Sequence, residues 1–139
     1  MEYNIRKCKN TDSYEVYKLV NQLKEKPLGR DVFFEKLRKN IYDKSIEYWC
    51  LEINNELIGF VSIHNNLLLH HDLPVNEIQE FVIDKDFRGK GYGSILMQFV
   101  INRFFGQELE LASNKSRVES KLFFEKCGFA ATHNKFTRI

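Results

Sequence analysis

The stretch Ile78-Gln79-Glu80-Phe81-Val82-Ile83-Asp84, followed after three residues by Arg88-Gly89-Lys90-Gly91-Tyr92-Gly93, decides how the rest of the chain is read. Its first half reads as an apolar strand. Beyond the glycines, Tyr92, Ile95, Leu96, Phe99 and Val100 fall on one stripe at helical spacing. Glycines at alternating positions remove the side chains that would keep a ligand off the backbone. Their N–H groups, together with the positive end of the following helix, make an anion cradle. A strand-to-helix turn of this kind suits a phosphate-bearing cofactor. The plainer alternative is a glycine-rich turn that caps a core helix and holds nothing.

Two familiar glycine loops do not fit. A P-loop needs two glycines separated by four residues and followed by Lys and Ser or Thr, and the chain has no such run. The dinucleotide fingerprint needs Gly-x-Gly-x-x-Gly, whereas the spacing here is Gly89-x-Gly91-x-Gly93, too late in the chain for a doubly wound sheet to follow. The spacing that remains is Arg-x-x-Gly-x-Gly, at Arg88, Gly91 and Gly93.

A second motif runs from Leu109 to Phe129. Leu109-Glu110-Leu111-Ala112-Ser113 alternates like a strand, and Asn114 follows it. Ser116-x-x-Glu119 has the form of a capping box. Val118, Leu122, Phe123 and Cys127 can then face a core, with Gly128 at the left-handed position after the last turn and Phe129 as its apolar contact. The glycine turn resembles the acetyl-CoA pyrophosphate loop of the GNAT (Gcn5-related) N-acetyltransferases, and Phe123-Phe124-Glu125-Lys126-Cys127-Gly128-Phe129 resembles the end of that family's second cofactor-contacting segment. Two motifs in the right order make the resemblance specific.

Length and composition agree with a single domain over residues 1–139, enough to bury about two-thirds of the unfolded surface. A net charge of +2 is too small to imply nucleic-acid or membrane binding, though a local basic patch near a phosphate is compatible with it. Cys8, Cys50 and Cys127 are scattered, show no zinc spacing and follow no apolar leader, so they read as reduced thiols of a cytoplasmic protein. No apolar run approaches the length of a membrane span.

Along the chain, Glu2 to Cys8 reads as a strand. Asp12-x-x-Glu15 reads as the cap of a helix carrying Val16, Leu19, Val20 and Leu23, which Pro27 and Gly29 end. A second helix from about Asp31 presents Phe33, Phe34, Leu37 and Ile41. Tyr48 to Ile53 and Leu57 to Leu69 read as a hairpin about Asn54-Asn55, and Phe129 to Arg138 as a final strand. The order β-α-α-β-β-β-α-β-α-β is that of the family. The fold class expected is therefore α+β, a central mixed, mostly antiparallel sheet flanked by helices and splayed at the acetyl-CoA site.

The resemblance implies an N-acetyltransferase that moves the acetyl group of acetyl-CoA to a primary amine of a small molecule through a tetrahedral intermediate. It places cofactor contacts at Phe81, Val82, Ile83, Arg88, Gly89, Lys90, Gly91, Tyr92, Gly93, Ser94, Asn114 and Phe124, with the oxyanion donor on the backbone near Val82. An amine of pKa about 10.4 must lose a proton before it attacks, and Glu77 and Glu80 are the candidate bases. In a regular strand residues three apart face opposite sides, so only one of them can enter the site unless a bulge intervenes. The position where the family often carries a proton-donating Tyr is Phe124, which cannot donate. Tyr92 is a substitute candidate, with a packing role equally compatible.

On the acceptor side, His64, Leu69-His70-His71, Glu77-Ile78-Gln79-Glu80, His133 and Phe136-Thr137, with Glu15-Val16-Tyr17, resemble the aminoalkylphosphonate N-acetyltransferases. That resemblance implies Glu77 as base and a small aminophosphonate as acceptor, with His64 and His70 as substrate contacts; a phosphonate needs a cationic partner, and Arg30 at the start of the second helix is the candidate. It also suggests a divalent metal. Adjacent His70 and His71 diverge if extended, and six residues of strand separate His64 from His70 by roughly 20 Å, so no metal site is predicted. The other readings are a non-catalytic acyl-CoA-binding protein, motivated by Phe124, and a protein or peptide acetylase. No nucleic-acid or membrane partner is expected, and the chain is read as monomer or homodimer.

Overall fold

The computed structural model describes residues 2–139. Five strands, β1 (Asn4–Lys7), β2 (Ile46–Ile53), β3 (Glu56–Asn66), β4 (Val75–Ile83) and β5 (Glu108–Leu111), form one sheet in the order β1-β2-β3-β4-β5. The first four are antiparallel neighbours, and β5 joins β4 in parallel. Helices α1 (Ser13–Asn21), α2 (Arg30–Asn40), α3 (Tyr92–Arg103) and α4 (Val118–Lys126) complete the α+β architecture.

Strand alternation sorts the core into two layers. Leu51, Val61 and Ile63 point to the face covered by α3, where they meet Leu96, Met97 and Val100. Cys50, Phe60 and Val82 point the other way and meet Val16, Leu19 and Val20 of α1 and Leu37 of α2. The β2–β3 turn has Asn54 and Asn55 at φ +51° and +64°, the left-handed pair that a two-residue hairpin requires. Gly59 has no room for a side chain: a Cβ there would meet Ile83 Cδ1 at 2.9 Å and Leu51 Cβ at 3.2 Å.

Two buried carboxylates fasten the layers. Asp12 does not cap α1 as its position suggests. Its oxygens accept two bonds from the Arg6 guanidinium, both 2.8 Å, and one from the Lys9 N–H at 2.7 Å. A doubly bonded guanidinium outcompetes the cap because it compensates the same charge more fully. Glu47 accepts from Trp49 Nε1 and from Arg103 at the end of α3, tying that helix to β2.

Three further expectations fail locally. Strand β3 ends at Asn66 rather than Leu69, because the exposed leucines at 67 and 69 leave the sheet for a loop. Ser116 does not cap α4; its own N–H and hydroxyl donate to Asn114 Oδ1, and the helix begins two residues later at Val118. Residues 129–138 form no strand. The last backbone bond of the described chain there is Phe129 N–H to Phe124 O, and residues 130–139 are exposed.

The Arg6 contact holds the Asp12 carboxyl below the usual range, despite an opposing contribution from burial. A depressed native pKa contributes stability that is present above the unfolded value, about 3.9, and is lost as pH falls through the native one. Asp12→Asn is expected to lower stability at neutral pH and to flatten its decline below pH ~4. Denaturant unfolding monitored by circular dichroism at several pH values measures both.

Candidate active site

Pairing between β4 and β5 covers only Val75–Ile78 against Glu108–Leu111, while β4 runs on to Ile83. Beyond Ile78 the two strands part, so that side of β4 has no strand neighbour from Gln79 to Ile83. The opening leads to the glycine turn, where the 3-10 turn Lys85–Phe87 precedes Gly89 and Gly91 at φ +75° and +91°.

Those φ values explain the glycines directly, since other residues adopt them at a cost of about 1–2 kcal/mol. A Cβ at either position would meet nothing within 4 Å. The turn is therefore open where the glycines stand, and the first N–H groups of α3 have no partner within their helix. Gly93 differs: a Cβ there would lie 3.3 Å from Phe123, so this glycine lets α4 approach α3.

Arg88 braces the turn. Its Nε donates to Ile83 O at 2.9 Å and its Nη2 to Gln22 Oε1 at 3.2 Å, while that same amide oxygen accepts the Lys85 N–H. Arg117 reaches Leu23 O, so the end of α1 is bonded both to the glycine turn and to the entry of α4. Lys90 stands 5.6 Å over the Phe87 ring and Ser94 is exposed in the first turn of α3. The Tyr92 side chain is buried in the α3 core layer, 6.1 Å from Phe87, so the structure favours its packing role. Phe81, Phe123, Phe124 and Phe129 form an aromatic cluster between β4 and α4, with Phe81 5.8 Å from Phe123 and 6.3 Å from Phe124. An open concavity of about 480 Å³ is lined by Leu122, Phe123 and Lys126. Asn114 is exposed, and its side-chain oxygen is occupied by Ser116.

The two candidate bases share a face. Register shifts between Ser62 and Ile63, so that Ser62 faces Glu80 while Ile63 faces Ile78, which leaves Gln79 as an extra residue. This bulge turns Glu77 and Glu80 to the same side, in line with His64, Ser62 and Phe60 across the ladder. Ser62, fully buried, receives the Glu80 N–H at 2.8 Å and donates to Glu80 Oε1. Glu77 accepts from Gln79 Nε2 and, at 3.5 Å, from Asn66 Nδ2. Tyr48, opposite Ser62 on β2, accepts a bond from Asn40, and burial, with the nearby Glu80 charge adding to it, pushes its hydroxyl pKa up.

The remaining candidates scatter. His64 lies opposite Glu77 on β3. His70 sits in the loop after β3, exposed, its ring 4.3 Å from that of His71. The expected divergence of these two rings assumed an extended segment, and the early end of β3 removes that condition. His71 itself pairs with Glu108 at 3.2 Å. Arg30 opens α2 with its guanidinium 5.6 Å from the Tyr14 ring and 5.8 Å from that of Phe34. Among the described residues, the one group with metal-ligand reach is Cys8, Asp12 and Cys50, none of it expected. Arg6 already occupies both Asp12 oxygens, and the hydrogen bond to Cys8 together with burial pushes the Cys50 thiol pKa up, so the trio suits a packed core better than a cation.

Ser62, Tyr48 and Gln22 escaped the sequence reading. The first two could have been found from their parity with His64, had the strand register been known. Gln22 carries no sequence signal, because its role depends on a contact with residues 85 and 88.

Residues 13–129 match the sequence model of the Acetyltransferase (GNAT) family, and the chain belongs to that family of N-acetyltransferases. It is similar to an aminoalkylphosphonate N-acetyltransferase of Salmonella typhimurium, at 31% identity over 96% of this chain and 89% of the relative. In fold it resembles a transcriptional regulator of Bacillus halodurans, with TM-score 0.86 and 20% identity over 99% of both chains. A predicted acetyltransferase of Clostridium acetobutylicum, solved with acetyl-CoA, superposes with TM-score 0.81 at 14% identity over 99% of this chain and 96% of that one.

Gly91→Ala meets no neighbour but has to hold φ +91°, so it should cost about 1–2 kcal/mol of stability and lower coenzyme A affinity by about tenfold or more as the turn relaxes away from its open shape. Calorimetric titration of both proteins, with thermal melts as control, measures this.

Proposed function

We propose that this chain, as a single domain over residues 1–139, transfers acetyl from acetyl-CoA to the primary amine of a small, anionic acceptor. The observation that carries the reading is the parting of β4 from β5 beyond Ile78, beside an open turn of positive-φ glycines. A pantetheine arm supplies amide partners for the unpaired edge of β4, and a diphosphate suits the free N–H groups at the start of α3. Phe81, Val82 and Ile83 line the arm, with Gly89 to Ser94 around the diphosphate and Asn114 and Phe124 on the α4 side. The Arg88 side chain holds the turn in shape for this purpose.

In the proposed reaction the acceptor ammonium gives a proton, directly or through water, to Glu77. Glu80 is the second carboxylate on that face, but its bond with buried Ser62 makes it better suited to fixing the strand than to accepting the proton. The neutral amine attacks the thioester carbonyl and the oxyanion is received by a backbone N–H near Val82. Collapse expels the coenzyme A thiolate, and the extra proton on the acylated nitrogen passes to solvent or to that thiolate, leaving the neutral amide. Phe124 supplies no proton, and none is required for expulsion, since a thiol of pKa about 8.5 is a competent leaving group.

Acceptor class is inferred from the Salmonella relative and from Arg30. Helices α1 and α2 cover the sheet face that carries Glu77 and Glu80, which puts Arg30 on that side, where a phosphonate needs a cation. His64 and His70 are proposed as acceptor contacts of lesser weight, His64 being nearer Glu77 in register. The loop position of His70 speaks for it least.

Glu77→Gln should lower kcat/KM by about 10²–10⁴-fold in a thiol-release assay with aminoalkylphosphonates, leaving coenzyme A affinity unchanged. Retention of full activity at neutral pH removes Glu77 as base. Phe124→Tyr is expected to preserve or raise turnover, and a large loss would show that this ring lies away from the sulfur.

A further inference from the structure

Strand β3 is buried without interruption from Leu57 to Ile63, and Ser62 is the one residue of that run with a polar side chain. It is fully enclosed, at 0% exposure. Burying a hydroxyl is unfavourable unless it is bonded, so its partners indicate its task. Both of its bonds go to a single residue. The Ser62 oxygen accepts the Glu80 N–H at 2.8 Å, and its proton is donated to Glu80 Oε1.

These bonds fall at the step where the β3–β4 ladder loses register and Gln79 is left over. A bulge disrupts main-chain pairing locally, and here a side-chain oxygen receives the Glu80 N–H. Gln79, the extra residue, in turn gives its exposed Nε2 to Glu77 Oε1. A line of contacts therefore leads from the buried hydroxyl through Glu80 and the bulge to Glu77. The two carboxylates differ along it: Glu80 is tied to the strand beside it, while Glu77 is held only through the bulge residue and, at 3.5 Å, through Asn66.

We propose that Ser62 is a positioning residue for acetyl transfer: its hydroxyl locks the bulge in the register that turns Glu77 to the face covered by α1 and α2. This rests on the reading of Glu77 as base. It goes beyond that reading by assigning the accuracy of the base to a hydroxyl on the neighbouring strand, which itself takes no proton from the acceptor. A misplaced base loses rate rather than affinity, and a displacement of about 1 Å can cost ~10²-fold.

Ser62→Ala removes one oxygen from an enclosed site and should leave the chain folded. Exchange of the Glu80 amide, read by nuclear magnetic resonance, should quicken by about tenfold or more in this variant. The single-turnover rate of acetyl transfer to an aminoalkylphosphonate should fall about 10–100-fold, with coenzyme A affinity kept within about twofold. In a Glu77→Gln background the same change should cost less than about threefold, because no base is left to misplace. An unchanged Glu80 amide, a fully active Ser62→Ala variant, a loss that falls on coenzyme affinity instead of rate, or losses that multiply in the double variant each overturn the proposal and leave Glu77 as base. Full activity of Glu77→Gln removes the base itself, and the proposal with it.

Discussion

The interaction on which the structure turns is one that stops: the parallel ladder between β4 and β5 ends after Ile78 and Leu111, while β4 continues. The parting leaves the far half of β4 without a strand neighbour on that side, next to the open glycine turn, and the proposed site rests on this gap. The rest of the fold keeps this gap from closing. Gly59 lets Ile83 lie against Leu51, Gly93 lets α4 approach α3, and the Gln22–Arg88 contact holds the turn beyond β4.

The same strand performs two tasks because of a single extra residue. Without the bulge at Gln79, Glu77 and Glu80 would lie on opposite faces, and one of them would point into the α3 core layer, away from the side that α1 and α2 cover. With it, the face covered by α1 and α2 receives both carboxylates while Phe81 still reaches the aromatic cluster of α4. Ser62 pins the bulge from the neighbouring strand by bonding both the Glu80 N–H and its side chain. The proposed base is thus placed by backbone geometry.

Much of this was legible in the sequence. The glycine turn, the stripe of α3, the Asn54-Asn55 hairpin and the two-motif order are local signals, and local signals fix local geometry. The features that stayed hidden are long-range. Asp12 has the form of a cap, yet a guanidinium six residues earlier claims it. Ser116 has the form of a capping box, yet Asn114 binds it first. The bulge depends on pairing between strands, which no single strand reveals. Residues 129–138 have the composition of a strand, but a strand needs a pairing edge, and the structure pairs them with none.

The most direct test of the central claim is amide hydrogen exchange with and without acetyl-CoA. Bound thioester should slow exchange in two adjoining stretches, residues 79–83 of β4 and residues 89–94 at the glycine turn, with little change in β1 and β2. Protection that spares β4, or that appears only on surfaces remote from the parting of β4 and β5, would contradict the account.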